Sequence, residues 1–383
     1  MKRTIIALVM ACLMLTGACA ETVVYTATED DQSALDVGGT QEVVVADALI
    51  QKTGGDASSA DASSFRGVNA AVRVYDQASL TLVNSVIEAS ASNATGVFAY
   101  DGGSILISNC TINVTGGGAG GIQVAGGGTL TGSNLTVTSA SKAAIRSDRG
   151  GGTLVLDGGT YTSTGTNGCP AIYSTADITV KNAVCVSEKS RAVIIEGMNS
   201  VTLENVTIEG NDQSTKSGSV HANVLLYQSA SGDAKEGTSI FSMTGGEMTA
   251  NSGAMFYCTN TASVINLNSA ALKLSDDGAL LVVSAGRWGK EGRNGGRCTL
   301  TATDQTLTGS ITVDSISSLT LSMTGSTFTG SINAEQEGGT VAVTLDEGST
   351  WTLTGDSYIT SFDGDMRNVN LNGYVLYVDG EAV

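Results

Sequence analysis

The segment Ser79-Leu80-Thr81-Leu82-Val83-Asn84-Ser85-Val86-Ile87 decides the fold, because its pattern returns along the whole chain. Leucines lie two and four places before Asn84, and small or apolar residues follow it one and three places later. We call the central residue of each such frame a marker. The twelve markers are Asp47, Asn84, Asn109, Asn134, Gly158, Asn182, Asn205, Gly245, Ser269, Asp304, Gly325 and Glu347. Most steps between markers are 21 to 25 residues, and three are 35 to 40. A fixed period in this range is typical of a solenoid.

Within one period the apolar residues alternate, as at Ile122 and Val124 and again at Leu135 and Val137. This spacing predicts three short strands per period, separated by turns. Asn, Asp and Gly tolerate the left-handed backbone that such turns need. We therefore predict an all-β fold, a single parallel β-helix with three strands per coil, about twelve coils and terminal caps.

The predicted organisation follows from the markers and from the three long steps, which we interpret as insertions. The boundaries are residues 1–20 for a signal peptide, 21–40 for an N-terminal cap, 41–350 for the β-helix with insertions near 53–65, 211–236 and 285–297, and 351–383 for the last coil and C-terminal cap.

The N-terminus has the pattern of a secretory signal peptide, with Lys2 and Arg3, a short apolar run and small residues at Ala18 and Ala20. Cys19 offers an alternative, a lipid-anchored lipoprotein. No later segment is predicted to cross a membrane. The expected location is therefore secreted or at the cell surface.

The net charge limits the classes of partner that the chain can bind, and the cysteine content limits its disulfides. The formal net charge is −18 at pH 7, which opposes binding to nucleic acid. Five cysteines follow the leader: Cys110, Cys169, Cys185, Cys258 and Cys298. Their odd number and wide spacing do not describe a disulfide framework. Cys110 and Cys185 occupy core positions, whereas the redox state of the other three is left open.

Several runs resemble exported right-handed β-helix proteins of gut-type bacteria. They are residues 148–153 (DRGGGT), 171–174 (AIYS), 287–289 (RWG), 294–296 (NGG) and 349–357 (STWTLTGDS). The last run also resembles the passenger domains of pertactin-like autotransporters. The resemblance implies a right-handed, pectate-lyase-like fold and a surface or secreted location. It implies no activity, and a fold alone cannot supply one.

Pectate lyases and polygalacturonases share this fold, so an enzyme would be indicated by catalytic residues in a recognisable pattern. The only histidine, His221, lies in no recognisable motif. The pair Asp276 and Asp277 is interpreted as a solvated turn, and Asp148 with Arg149 as an ion pair that stabilises a turn. Paired carboxylates or clustered metal ligands are not evident. We therefore predict no catalytic residue, no metal and no cofactor.

The third insertion is the exception in this acidic chain, because it concentrates four cations and a tryptophan. The predicted ligand-binding residues are Arg287, Trp288, Lys290, Arg293 and Arg297. Tryptophan can stack on a sugar ring and arginine can hold a carboxylate, which suits an acidic glycan. In the alternative interpretation the arginines bridge neighbouring acidic coils, and the tryptophan packs on the rod that the stacked coils form.

Three classes of function remain open. The first is a non-enzymatic adhesin that binds acidic glycans or surface proteins, and it is the one we favour. The second is a polysaccharide lyase or hydrolase with an atypical site. The third is a structural spacer.

Overall fold

The computed structural model describes residues 22–215, 220–276 and 278–383. The predicted signal peptide and Cys19 lie outside the described residues, as do Asp277 and residues 216–219 of the second insertion. The described chain is almost entirely β, and its strands form long parallel sheets. This architecture is compatible with a parallel β-helix.

The largest sheet has 21 strands and contains two ladders of parallel strands. One ladder contains the strands before the markers, and the other contains the strands after them. Two strands, Gly128–Ser139 and Gly152–Thr166, run through their markers Asn134 and Gly158 and therefore belong to both ladders. The strands of this sheet are Val23–Ala27, Glu42–Ala46, Ala48–Lys52, Ser79–Val83, Val86–Ala89, Ser104–Ser108, Thr111–Val114, Gly128–Ser139, Gly152–Thr166, Asp177–Lys181, Val184–Lys189, Ser200–Glu204, Thr207–Gly210, Thr238–Thr244, Glu247–Ala250, Ala262–Asn268, Ala271–Lys273, Arg297–Thr303, Ser318–Thr324, Thr340–Leu345 and Ser361–Asp363.

A second sheet of 11 parallel strands forms the third ladder. Its strands are Leu35–Val37, Val72–Val74, Val97–Tyr100, Ile122–Ala125, Ile145–Ser147, Ile172–Ser174, Val193–Glu196, Ala222–Tyr227, Ala254–Thr259, Leu281–Val283 and Ile311–Val313. Successive strands pair in constant register, so that Ile122, Ile145 and Ile172 stack on one another. Like residues therefore form continuous columns.

Two smaller sheets and two short helices complete the described structure. A 4-stranded sheet contains Thr306–Thr308, Thr327–Thr329, Thr350–Thr352 and Val369–Asn370, and a 3-stranded sheet contains Ser357–Ile359, Leu376–Val378 and Glu381–Ala382. The α-helix Ala60–Arg66 occupies the first insertion, and a 3₁₀ helix spans Met366–Asn368. The α-helix begins where Ser59 accepts a hydrogen bond from the Ala62 amide, and it ends at Gly67 with a φ of 65°.

The markers adopt the left-handed conformation that the sequence predicts. Asn84, Asn109 and Asn134 have φ values of 50°, 53° and 50°. Their side chains form a ladder along the rod, in which Asn109 donates to the Asn84 amide oxygen at 3.3 Å. Ser269 also has a positive φ, of 53°, whereas Glu347, which is not Asn, Asp or Gly, does not. Glu347 lies in a turn that the Ser349 amide closes by donating to the Asp346 carbonyl at 3.2 Å.

The main apolar core of the described residues runs from Leu35 to Leu376. Cys110 and Cys185 lie inside it, as their positions in the repeat predict. The core is narrow at Gly132, where a Cβ atom would lie 2.8 Å from the Leu156 side chain.

Both ends of the rod carry paired strands. Near the N-terminus, Val23–Ala27 pairs with Ala48–Lys52 and Leu35–Val37 pairs with Val72–Val74. At the C-terminus, Leu376–Val378 pairs antiparallel with Glu381–Ala382. An antiparallel turn-back ends the stack of parallel strands, and it covers an edge that would otherwise stay open.

Candidate functional site

The outward face of the second sheet is covered over part of its length. Val193 and Ile195 point into the main core, whereas Ile194 belongs to a second apolar cluster with Leu225 and Tyr257. These three residues are neighbours in register on adjacent strands, and all three are buried. The strands are therefore apolar on both faces. The repeat pattern did not predict this cover, although unbroken apolar runs such as residues 193–195 and 224–227 are the signal for it.

The insertions provide the cover and are attached to the sheet by specific contacts. Arg149 forms an ion pair of 2.7 Å with Asp233 of the second insertion, and its guanidinium lies 4.2 Å from the centre of the Phe65 ring. Asp148 pairs instead with Arg146 at 2.6 Å. The predicted side-chain ion pair between Asp148 and Arg149 is therefore wrong. Asp148 contacts Arg149 only by accepting a hydrogen bond from its backbone amide.

A cavity of about 220 Å³ opens between this face and the insertions, and we call it the aromatic cavity. Ile194 and Leu225 of the sheet contribute apolar side chains, and three large aromatic side chains surround them. The lining residues are Asn167, Gly168, Tyr173, Ser190, Arg191, Ile194, Asp212, Ser214, Leu225, Tyr227, Arg287 and Trp288. The lining is mixed, because polar and charged side chains are about as numerous in it as apolar and aromatic ones.

The buried carboxylate of Glu196 holds two of the aromatic walls in place. It is 1 % exposed and accepts hydrogen bonds from the Tyr173 hydroxyl at 2.5 Å and the Tyr227 hydroxyl at 2.9 Å. The Ser229 hydroxyl also donates to it. Burial raises the pKa of both tyrosines well above the ordinary value, so both hydroxyls remain donors at neutral pH. The rings are thus fixed before any ligand arrives.

A buried ion pair holds the next part of the wall. Arg191 and Asp212 lie 3.0 Å apart, with side chains 8 % and 1 % exposed. Asp212 also accepts hydrogen bonds from the amides of Ser214 and Ala222. Burial lowers the pKa of Arg191 below its ordinary value, and the nearby Asp212 carboxylate opposes that effect. The pair fastens the second insertion to the sheet at the edge of the cavity.

The structure separates the five residues predicted to bind ligand. Arg287 and Trp288 line the aromatic cavity, whereas Arg297 lines a different, open groove of about 420 Å³. Lys290 and Arg293 are exposed and line neither. Over residues 22–215, 220–276 and 278–383, no ion pair involves any of these four cations. The bridges to neighbouring acidic coils expected in the alternative interpretation are therefore not seen in this part of the chain.

Trp288 packs on the rod and also faces the cavity. Its ring lies 4.5 Å from that of Tyr227, with planes tilted by 49°, and the Arg287 guanidinium lies 4.5 Å from its centre. Asn294 fixes the loop by donating to the carbonyls of Gly286 at 2.7 Å and Trp288 at 3.0 Å. A ligand in the cavity would meet a pre-positioned aromatic wall with a cation beside it.

Other potential catalytic groups lie outside the cavity lining. His221 hydrogen-bonds through Nδ1 to the Asp212 backbone carbonyl at 2.8 Å. Among the described residues, no group of three or more His, Cys, Asp or Glu side chains could hold a metal ion. The carboxylates nearest the cavity, Glu196 and Asp212, are both engaged in the contacts above.

Lys142 links the α-helix to the same face of the sheet. Its Nζ donates to Ser64 Oγ at 2.7 Å, and Gln123 Nε2 donates to the Ser64 carbonyl at 2.7 Å. Burial, followed by the positive charge of Arg146, lowers the pKa of Lys142 to about 8. The folded chain therefore binds this proton less tightly than the unfolded chain does.

We expect Lys142→Met to stabilise the protein at pH 7 and to lose that effect at pH 10. Between the folded pKa of about 8 and the ordinary value of 10.5, the unfolded state binds the extra proton. The free-energy cost of burying the charge therefore applies in full below pH 8, and it disappears as pH rises from 8 to 10.5. Thermal unfolding of both proteins from pH 6 to pH 10 measures the difference. Lys181→Met, at an exposed lysine paired with Glu204, controls for removing one charge. A difference independent of pH would contradict the argument.

No protein-family model matches the chain, and no curated protein matches it. Within the described residues, no helix is both long enough and apolar enough to span a bilayer.

Proposed function

We propose that this protein is an exported right-handed parallel β-helix of about twelve coils that binds an acidic glycan and does not act on it. The leader pattern of residues 1–20 supports export, and the alternative to release is a lipid anchor at Cys19. The resemblance of its repeat runs supports the hand of the helix. Three ladders of parallel strands support three strands per coil.

The observation that carries the binding proposal is the aromatic cavity with Arg287 at its wall. Tyr173, Tyr227 and Trp288 offer apolar ring surface, and Asn167 and Ser190 offer hydrogen-bonding groups. This combination suits a sugar, which has an apolar face and a polar rim. Arg191 is already neutralised by Asp212, whereas no ion pair in the described chain involves Arg287. A carboxylate on the sugar would therefore complete the charge balance at Arg287.

Non-enzymatic binding is favoured because the acids near the cavity are occupied. Glu196 is saturated with hydroxyl donors and Asp212 is paired with Arg191. Glycoside hydrolysis needs two carboxyl groups that face the same scissile bond. The residues that line the cavity include one carboxylate, Asp212.

The proposal predicts that Arg287 and Arg293 behave differently although they lie in the same loop. In a glycan-array screen of the purified protein, we expect acidic glycans to bind. Arg287→Ala should weaken that binding by roughly 10- to 100-fold, the usual effect of losing a hydrogen bond to a charged group. Arg293→Ala removes the same charge from the exposed part of the loop and should change affinity little.

Three further readouts complete the experiment. Trp288→Ala should abolish binding, and thermal unfolding of each variant shows whether it still folds. Equal losses for Arg287→Ala and Arg293→Ala would indicate only non-specific attraction to a cationic loop. Release of shortened product from a bound polysaccharide would make the protein an enzyme. An absence of binding across the array would leave a protein-binding or structural role.

A further inference from the structure

Two cysteines from different sheets meet in the core beneath the third insertion. Cys258 lies in Ala254–Thr259 of the second sheet, and Cys298 lies in Arg297–Thr303 of the large sheet. Their Sγ atoms are 3.7 Å apart, and both side chains are buried. Cys110 makes a different contact, because its thiol donates to the Ser108 carbonyl at 3.2 Å.

Both cysteines lie next to the base of the basic insertion in space, although Cys258 belongs to the strand of the second sheet that precedes Leu281–Val283. Cys258 is in register with Val283, just before residues 285–297, and Cys298 directly follows them. Gly296 allows the close approach, because a Cβ atom there would lie 2.6 Å from the Cys258 carbonyl oxygen. A bond between the sulfurs would therefore join residues 258–298 into a covalent loop that contains Arg287 and Trp288.

We propose that Cys258 and Cys298 form a disulfide when the chain folds under oxidising conditions. The sulfurs must move from 3.7 Å apart to the roughly 2.05 Å of an S–S bond. One S–S bond forms and two S–H bonds break. The two electrons and two protons pass to a disulfide oxidant such as oxidised glutathione, which is reduced to two thiols. The inference does not depend on what the aromatic cavity binds.

The buried position decides when this bond can form. Thiol–disulfide exchange proceeds through a thiolate that the oxidant can reach. The hydrogen bond with Cys258, together with burial, raises the pKa of Cys298 well above its ordinary value. The folded, reduced protein should therefore react slowly, and the bond forms while the strands are still apart.

The test is to unfold the reduced protein and refold it in a mixture of reduced and oxidised glutathione. Free thiols are then alkylated in denaturant, and the peptides are identified by mass spectrometry. We expect a peptide that links Cys258 to Cys298, with Cys110 and Cys185 alkylated. Cys185→Ala, at another buried cysteine, should keep the cross-link. Cys258→Ser should lose it and leave Cys298 free. Protein exported into an oxidising compartment gives the same readout without a refolding step.

Thermal unfolding adds an independent criterion. The oxidised wild-type protein should melt at a higher temperature than the reduced protein, because the bond restrains the unfolded chain. Cys298→Ser should melt at one temperature in both conditions. If both thiols remain free after oxidative refolding and after export, or if either one pairs with a different cysteine, the proposal is wrong.

Discussion

Trp351→Ala lowers the free energy of unfolding by about 3 to 5 kcal/mol, the usual cost of deleting a large buried aromatic side chain. Trp351 is fully buried near the C-terminal end of the core. Its ring stacks on Phe328 with centroids 5.7 Å apart, and its Nε1 donates to the Gly330 carbonyl at 3.0 Å. The substitution would leave a cavity and an unsatisfied buried carbonyl at the same place.

Denaturant unfolding of wild type and variant measures this loss. Trp288→Ala is the matched control, since these are the two tryptophans of the chain. Trp288 is only partly buried and should cost about 1 kcal/mol, the value of an aromatic contact such as that with Tyr227. Each repeat contacts mainly its neighbours, so the Trp351 variant should first lose amide protection in the last strands. A loss below about 1 kcal/mol for Trp351→Ala would contradict the structure.

Arg191→Met lowers the free energy of unfolding by about 3 kcal/mol at pH 7, because it leaves the buried Asp212 without its partner. The two side chains are 3.0 Å apart and almost inaccessible to water. Lys181→Met is the matched control, because it breaks the exposed pair with Glu204 and should cost roughly 0.5 kcal/mol or less. Similar costs for the two substitutions would show that the Arg191 pair is not buried in solution.

A double variant tests the cause. Asp212→Asn removes the charge that Arg191→Met leaves without its arginine partner, so adding it should recover part of the loss at pH 7. An equal loss in the single and the double variant would indicate lost packing rather than a stranded charge.

The repeating part of the structure could be predicted from the sequence because its causes are local. Alternation of apolar residues selects strands, and a left-handed corner needs Asn, Asp or Gly. The positive φ values at Asn84, Asn109 and Gly158 follow from these two rules. Stacking then places like residues side by side, which makes the core positions of Cys110 and Cys185 predictable. Glu347 is none of these three residue types and has no positive φ, whereas Ser269 departs from the rule with a φ of 53°.

The candidate site could be predicted only in part. Composition pointed to the third insertion, and two of its five predicted residues, Arg287 and Trp288, line the aromatic cavity. The opposite walls of the cavity are Tyr173 and Tyr227, with the buried Glu196 behind them. These three residues were not predicted, because each lies in a strand whose sequence resembles that of the other strands. Nothing in the repeat pattern distinguishes an outward residue that stays exposed from one that an insertion covers.

The sequence by itself determined the repeat, the strands, the turns and the columns of the core, because each depends on neighbours a few residues away or one period away. The tertiary structure alone decided how the insertions dock. Arg149 meets Asp233 across 84 residues, and Cys258 meets Cys298 across 40. Such contacts follow no period and depend on side-chain shape and charge in three dimensions. The cavity wall contains another contact of this kind, the pair between Arg191 and Asp212, so only the folded chain reveals the cavity.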